Sequence, residues 1–318
     1  MEASPAPGSR SPRTERERRR AAAVLLLGRA GRDRESRSAA ERFLAYAEGQ
    51  RLAVSLRTAD AADGRPLAVA ALAGPGRAAM VLVSPMRGPD AGPVARMLDD
   101  LVGGLGGVRV AQALPEPERD AERAALAGAG FETLATLVYL EGAAEPARED
   151  PLPGVGAGWV QEQPWSPAAS GRFAAAIECS YAGTLDCPGL IGRRPIEEVI
   201  EGHRGAGGPG AFAARRWRVW SDPAGPVAVL LLARLPQEPT LEVVYLGVAP
   251  RARGRGIGRL LLRRAQAEAA RSGAERVVLA ADAANRPALR VYRSAGFRSV
   301  QRRLAMARFR PLGAEGAA

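Results

Sequence analysis

The sequence predicts two tandem α/β domains, each alternating strands and helices around its own core, and three observations carry that fold class. Its 318 residues exceed one ordinary domain and suit two. The apolar pattern switches repeatedly between two-residue alternation and helical spacing. The same order of elements then runs twice, with signatures at a near-constant offset. Ala129-Gly130-Phe131 recurs as Ala295-Gly296-Phe297, 166 residues on, and Val83-Ser84-Pro85 recurs as Val248-Ala249-Pro250, 165 residues on.

Taken in order, residues 1–13 are rich in Pro, Ser and Arg and read as a disordered segment. Helices are predicted over 14–29 and 38–49, the second placing Phe43, Leu44 and Ala47 on one face. Strands follow at 52–56, 66–72 and 78–83, separated by turn signals at Asp63-Gly64 and Gly74-Pro75-Gly76. Helix 91–103, strand 107–113, helix 117–129 and strand 131–140 complete a first domain, 14–142. Residues 143–155 hold three prolines and no apolar period, and read as a linker. The second domain, 156–311, begins with helices near 166–178 and 195–203. Strands near 213–220, 225–234 and 240–248 come next, then helix 256–271, strand 275–281, helix 286–294 and a closing strand from 297 to about 309.

Composition excludes several function classes. With 47% apolar and 25% charged residues the chain reads as soluble and globular, and no run approaches the roughly 18 apolar residues of a membrane span. Ala21–Leu27 is apolar but short, and reads as part of a helix rather than a leader. The net charge of +11 does not by itself argue for nucleic acid. Every one of the 45 basic residues is arginine, as GC-rich coding produces, and residues 1–40 alone hold ten arginines against five acids. Absence of lysine removes the P-loop and Schiff-base mechanisms. A single histidine, His203, and two cysteines, Cys179 and Cys187, offer no zinc spacing, so no metal is expected. His203 reads as a helix-end or surface residue. Two cysteines in so long a chain point to free thiols in a reducing compartment, the cytoplasm.

The stretch Leu241–Arg264 concentrates the chemistry. A strand rich in Val, Leu and Tyr ends at Pro250, and Ile257, Leu260, Leu261 and Ala265 recur at helical spacing beyond it. Between them lies Arg253-Gly254-Arg255-Gly256-Ile257-Gly258. Its glycines let the backbone approach a ligand and gather N–H groups at a helix N-terminus, an arrangement suited to phosphate. A dinucleotide fingerprint is not met, because Arg259 stands where its last glycine would be.

These residues resemble the GCN5-related N-acetyltransferases (GNAT), over 155–310 by motif and over 14–140 by layout. Arg253, Gly256 and Gly258 match the family's loop pattern. Asn285, Leu289 and Tyr292, followed by Gly296-Phe297, match its second motif in order and spacing, and fall on one helix face. The resemblance implies two tandem domains of this kind, each a mixed, mostly antiparallel sheet flanked by helices, the first copy degenerate. It implies acetyl-CoA as acyl donor, held against the strand edge Leu246, Gly247 and Val248, with its pyrophosphate on the N–H groups of 253–258. Arg251, Arg253, Arg255 and Arg259 would add charge-assisted contacts, and Asn285 would fix the donor from the neighbouring helix. Glu242 is then the candidate base that takes a proton from an amine, with positions 242, 244, 246 and 248 expected on one strand face; the alternative is a carboxylate paired with an arginine. The Val248 N–H would donate to the thioester oxygen, and Tyr292 would protonate the departing sulfur. Tyr181 and Asp186, on the loop after the first helix of this domain, are candidates for contact with a cationic acceptor.

In the first copy Gly88-Pro89-Asp90-Ala91-Gly92-Pro93 stands opposite the 253–258 loop. Its prolines lack donors and its aspartate repels phosphate. Leu126 stands at the register of Tyr292, Arg77 at that of Glu242 and Arg119 near that of Asn285. The expected activity is direct acetyl transfer to a primary amine of a small molecule or peptide, at one site per chain. The alternative is a non-catalytic acyl-CoA-binding or sensing protein, and a basic nucleic-acid binder is a third reading.

Overall fold

The computed structural model describes residues 8–29, 33–146, 160–235 and 238–310. Positions 1–7 of the expected disordered segment and 147–155 of the expected linker lie outside them. The chain opens with helices α1 (Glu15–Leu27) and α2 (Arg34–Gly49), then strands β1 (Ala53–Asp60), β2 (Pro66–Gly74) and β3 (Ala78–Val83). Helix α3 (Ala91–Gly103), strand β4 (Val110–Ala113), helix α4 (Asp120–Gly128) and strand β5 (Glu132–Ala143) follow. Beyond the linker come β6 (Gln161–Pro164), α5 (Ser170–Tyr181), α6 (Ile196–Gly205), β7 (Phe212–Asp222), β8 (Gly225–Leu235) and β9 (Thr240–Val248). The chain closes with α7 (Ile257–Arg271), β10 (Arg276–Asp282), α8 (Arg286–Ser294) and β11 (Arg298–Phe309). Every predicted element is present, and β6, which the polar run Gln161-Glu162-Gln163 concealed, is an addition.

The helices start and stop for local reasons. Thr14 and Glu17 form a reciprocal capping box at the head of α1, and Gly28 closes it at φ +67°. Asp33 caps α2 four residues earlier than apolar spacing indicates, its carboxylate accepting the Ser36 N–H.

Two compact units divide the chain. One is Met1–Leu134 with Leu304–Ala318, and the other is Ala135–Arg303. The first unit's sheet runs β1-β2-β3-β4 and takes the C-terminal part of β11, where Met306 to Phe309 pair antiparallel with Ala113 to Val110 of β4. The second runs β6-β7-β8-β9-β10 and takes β5, where Leu137 to Ala143 pair antiparallel with Asp282 to Arg276 of β10. Each unit therefore takes its last strand from the other half of the sequence. The expected boundaries, 14–142 and 156–311, follow chain order and assign both strands differently. Among the described pairings of each unit one is parallel, β3 with β4 and β9 with β10, and it sits among antiparallel ones.

The second unit buries a core on each face of its sheet. On one side Leu241 and Val243 of β9, Val277 and Leu279 of β10 and Leu140 of β5 pack under α7 and α8 with Leu261, Leu262, Leu289 and Phe297. On the other, Trp217, Val219, Val229 and Leu231 pack under α5 with Phe173 and Ile177. Trp217 and Trp220 are both fully buried but lie in opposite cores, as a three-residue separation on a strand requires.

Candidate active site

Strands β9 and β10 pair over only three positions, Thr240, Leu241 and Glu242 against Arg276, Val277 and Val278. β9 then runs on to Val248 bonded to β8 alone, so the two strands part after Glu242. The Ala249 N–H donates to Val227 O at 3.0 Å. Backbone alternation then turns the N–H and C=O groups of Leu246 and Val248 away from β8, into the gap. Gly247 is fixed by crowding: a Cβ there would stand 2.6 Å from Ser180 Oγ and 2.9 Å from a ring carbon of Tyr245. Its absence lets the end of α5 press directly on the strand.

The loop after β9 meets the requirements for an anion. Gly254 and Gly256 both sit at φ +76°, with open space where a Cβ would project, so backbone conformation dictates glycine there. Gly256 caps α7 without any side-chain acceptor, and the N–H groups of residues 254–258 have no acceptor among the described residues. Ile257 anchors the turn in the core. Of the four arginines, Arg251 is bidentate to Asp222 at 2.7 and 2.8 Å and also donates to the carbonyls of Gly225 and Pro226. Arg253 donates to the carbonyls of Val248, Gly183 and Ser180, tying the end of α5 to the end of β9. Both therefore hold the loop's frame in this structure, where the expectation had them contact phosphate. Arg255 and Arg259 are exposed and make no ion pair among the described residues.

Glu242 lies on a different face from the one expected. Leu231 pairs with Tyr245 and Leu232 with Val243, so Val244 is an extra residue, a β-bulge that inverts the alternation. Leu246 and Val248 share the α7 side with Leu241 and Val243, whereas Glu242 shares the α5 side with Tyr245 and Gly247. It is half-buried, has no hydrogen bond or ion pair among the described residues, and loss of solvent raises its carboxyl above the usual range. The alternative of an arginine-paired edge carboxylate is thereby removed.

The same face of the sheet carries an aromatic cluster that the sequence concealed. Ser180 Oγ donates to Ile177 O at 2.7 Å and so receives the Tyr245 hydroxyl at 2.6 Å. Tyr181 meets Tyr245 edge-on at 6.4 Å between centroids, and His203 lies against its ring at 5.5 Å. His203 is therefore an inward residue of α6, not a surface cap. Desolvation, followed by the Arg194 charge, lowers its pKa to about 4 and keeps it neutral. Only the strand period could have announced Tyr245, and the bulge broke that period.

Tyr292 packs against the α7-side core, 6.4 Å from Phe297. Burial, and then the negative Asp186, hold its hydroxyl protonated well above neutral pH. Asn285 is the N-cap of α8, where its Oδ1 accepts the Ala288 N–H at 3.2 Å. Its carbonyl is thus committed to the helix, and its NH2 group is left for a ligand. Asp186 accepts the Asp282 N–H at 2.7 Å while Asp282 accepts the Cys187 N–H at 3.2 Å, a reciprocal clamp docking the loop onto the end of β10. Asp186 is thus a loop fastener in this structure, and Tyr181 is the one of the two acceptor candidates that stands beside Tyr245. Burial, with Asp186 and Asp282 nearby, pushes the Cys187 thiol up to about 12.

In the first unit the corresponding helix start holds its own anion. The buried Asp90 carboxylate accepts the Arg87 N–H and an Arg65 N–H, each at 2.7 Å. Leu126 is fully buried in α4 and Arg119 caps that helix, as their registers with Tyr292 and Asn285 indicate. Arg77, however, precedes β3 at φ +56°, and Met80 takes the third place of the parallel pairing that Glu242 takes in β9.

Residues 194–297 match the acetyltransferase (GNAT) family. A mycothiol acetyltransferase of Thermomonospora curvata is 38% identical over a stretch covering 26% of this chain and 31% of that protein's length. Among solved structures, a GCN5-related N-acetyltransferase from Sphaerobacter thermophilus is 17% identical with a TM-score of 0.59, covering 97% of this chain and 98% of that one. A glucosamine N-acetyltransferase region of a fungal multi-domain β-N-acetylglucosaminidase is 16% identical with a TM-score of 0.50, covering 82% of this chain and 34% of that one. At these identities the structural likeness concerns the fold.

Proposed function

We propose that this chain, whose residues 194–297 match the acetyltransferase (GNAT) family, transfers an acetyl group from acetyl-CoA directly to a primary amine of a small molecule or peptide. The observation that carries this reading is the pairing of five acceptor-free N–H groups at the head of α7 with an unpaired carboxyl, Glu242, beside the parted strands. Acetyl-CoA would supply an activated acetyl thioester. The N–H groups of 254–258, with the exposed Arg255 and Arg259, suit its phosphates, and the edge of Leu246 and Val248 suits its amide-bearing arm. The Val248 N–H is the donor for oxygen charge developing in the gap.

Glu242 takes a proton from the acceptor's ammonium, freeing the lone pair that bonds to the acetyl carbon as the carbon–sulfur bond breaks. A carboxyl with a raised pKa suits that task better than an ordinary one, because its affinity lies closer to that of the amine. Tyr292 keeps a proton at its Oη for the departing sulfur, and the second proton lost by the acetylated nitrogen returns that phenol to its neutral form. A panel of aliphatic amines, amino sugars and peptide N-termini, with CoA release followed from acetyl-CoA and from longer acyl-CoAs, tests the reading. Amine-dependent CoA release is expected, and tight acyl-CoA binding without release by any amine identifies a sensor instead.

A further inference from the structure

The α5 side of the second unit's sheet is covered over β7 and β8 by the apolar core beneath α5 and α6. Over β10 and β5 the same face is different. Val278 is half-buried, Ala280 is exposed and presents one methyl group, and Tyr139 stands opposite Ala280 in the β5–β10 pairing. Glu242 stands opposite Val278 on one side of β10 and Glu141 stands opposite it on the other, so Tyr139 lies two strands and two residues from Glu242 on the same face. Ala280, next to Tyr139, leaves that face open between them. Tyr139 belongs to neither apolar core, and its hydroxyl has no hydrogen-bond partner among the described residues. Burial foremost, and then the charge of Glu242, raise its pKa, while Arg303 acts in the opposite sense, so the two side chains are within electrostatic reach.

A tyrosine that neither packs in a core nor makes a hydrogen bond among the described residues, on the same sheet face as an unpaired carboxyl and within its electrostatic reach, matches the chemistry of a cation. Ring faces attract ammonium, and the carboxylate fixes where it stops. We propose that Tyr139, carried into this unit by the N-terminal half of the sequence, forms the wall that holds the acceptor's ammonium group for Glu242. The inference rests on the acetyltransferase reading and goes beyond it in assigning a residue that positions the acceptor. It also gives the first half of the sequence a part in the second unit's chemistry, since Tyr139 lies outside residues 194–297.

The test compares the full-length chain with Tyr139→Phe and Tyr139→Leu, measuring CoA release with n-butylamine, 1,4-diaminobutane, glucosamine and a short peptide. Tyr139→Phe keeps the ring and is expected to hold the amine KM within about twofold. Tyr139→Leu keeps an apolar side chain but removes the ring and is expected to raise the alkylamine KM about tenfold, with the acetyl-CoA KM and melting temperature unchanged. An unchanged amine KM in Tyr139→Leu, or equal rises in both KM values, overturns the assignment of Tyr139 and leaves the acetyltransferase reading standing. No turnover with any amine removes the underlying reading, and this inference with it.

Discussion

Glu162, Glu238, Glu268 and Asp222 of the second unit each have an arginine partner, and Glu242 has none among the described residues. Its folded-state pKa is raised, so between the ordinary value of 4.5 and the raised one the folded chain holds more protons than the unfolded chain. Stability contributed by the neutral carboxyl is therefore lost as pH rises through that window. Glu242→Gln is expected to melt higher than the parent at pH 7.5, with the difference closing as pH falls toward 4.5, while kcat/KM for the amine drops by about 10²-fold or more and acetyl-CoA affinity is retained. Equal melting temperatures throughout that range would contradict the burial assigned to this group. His203 has the opposite sign: its pKa falls from 6.5 to about 4, so the unfolded chain binds the extra proton in that window and stability drops as pH falls through it. Urea unfolding between pH 7 and 4 is expected to show that slope in the parent and to lose it in His203→Gln. Glu242 and Tyr292 stand out in the sequence as candidates because their types and motif spacing are local, whereas His203 and Tyr245 meet only through the packing of α6 on β9.

Most element boundaries follow from local chemistry, and so the loop and helices of Leu241–Arg264 were legible from glycine, proline and apolar spacing. The bulge at Val244 was not, because an extra residue leaves no compositional mark and is defined by the partner strand alone. That single residue moves Glu242 from the face of Val248 to the face of Tyr245. The arginines divide for a similar reason: four arginines in nine residues look equivalent until Asp222 and the end of α5 claim two of them. Arg255→Ala and Arg259→Ala are each expected to raise the acetyl-CoA dissociation constant severalfold, with a shallower salt dependence. Arg251→Ala is expected to lower the melting temperature and leave that constant nearly unchanged; calorimetric titration at two salt concentrations separates the cases. Gly247→Ala drives a methyl group into Ser180 and Tyr245 and is expected to destabilise by about 1–3 kcal/mol in urea unfolding.

For the whole molecule, duplication is readable from the sequence and strand exchange is not, since internal similarity reports what each strand is and leaves open which neighbour it pairs with. A chain restricted to residues 156–318 lacks Leu137–Ala143, the partner of β10. Such a fragment is expected to be insoluble or unfolded by circular dichroism and to regain structure when co-expressed with residues 1–150. Asp90 occupies the helix start of the first unit with a carboxylate, so calorimetry is expected to give one acetyl-CoA per chain, not two equivalent sites. Among the described residues no helix is long and apolar enough to cross a membrane. Tyr292→Phe separates acetyl transfer by the second unit from mere binding of the donor. Amine-dependent CoA release is expected to fall about 10²-fold in Tyr292→Phe while the dissociation constant for acetyl-CoA stays within about twofold of the parent. Acetyl-CoA binding by both proteins, with amine-dependent CoA release from neither, would contradict acetyl transfer by this unit.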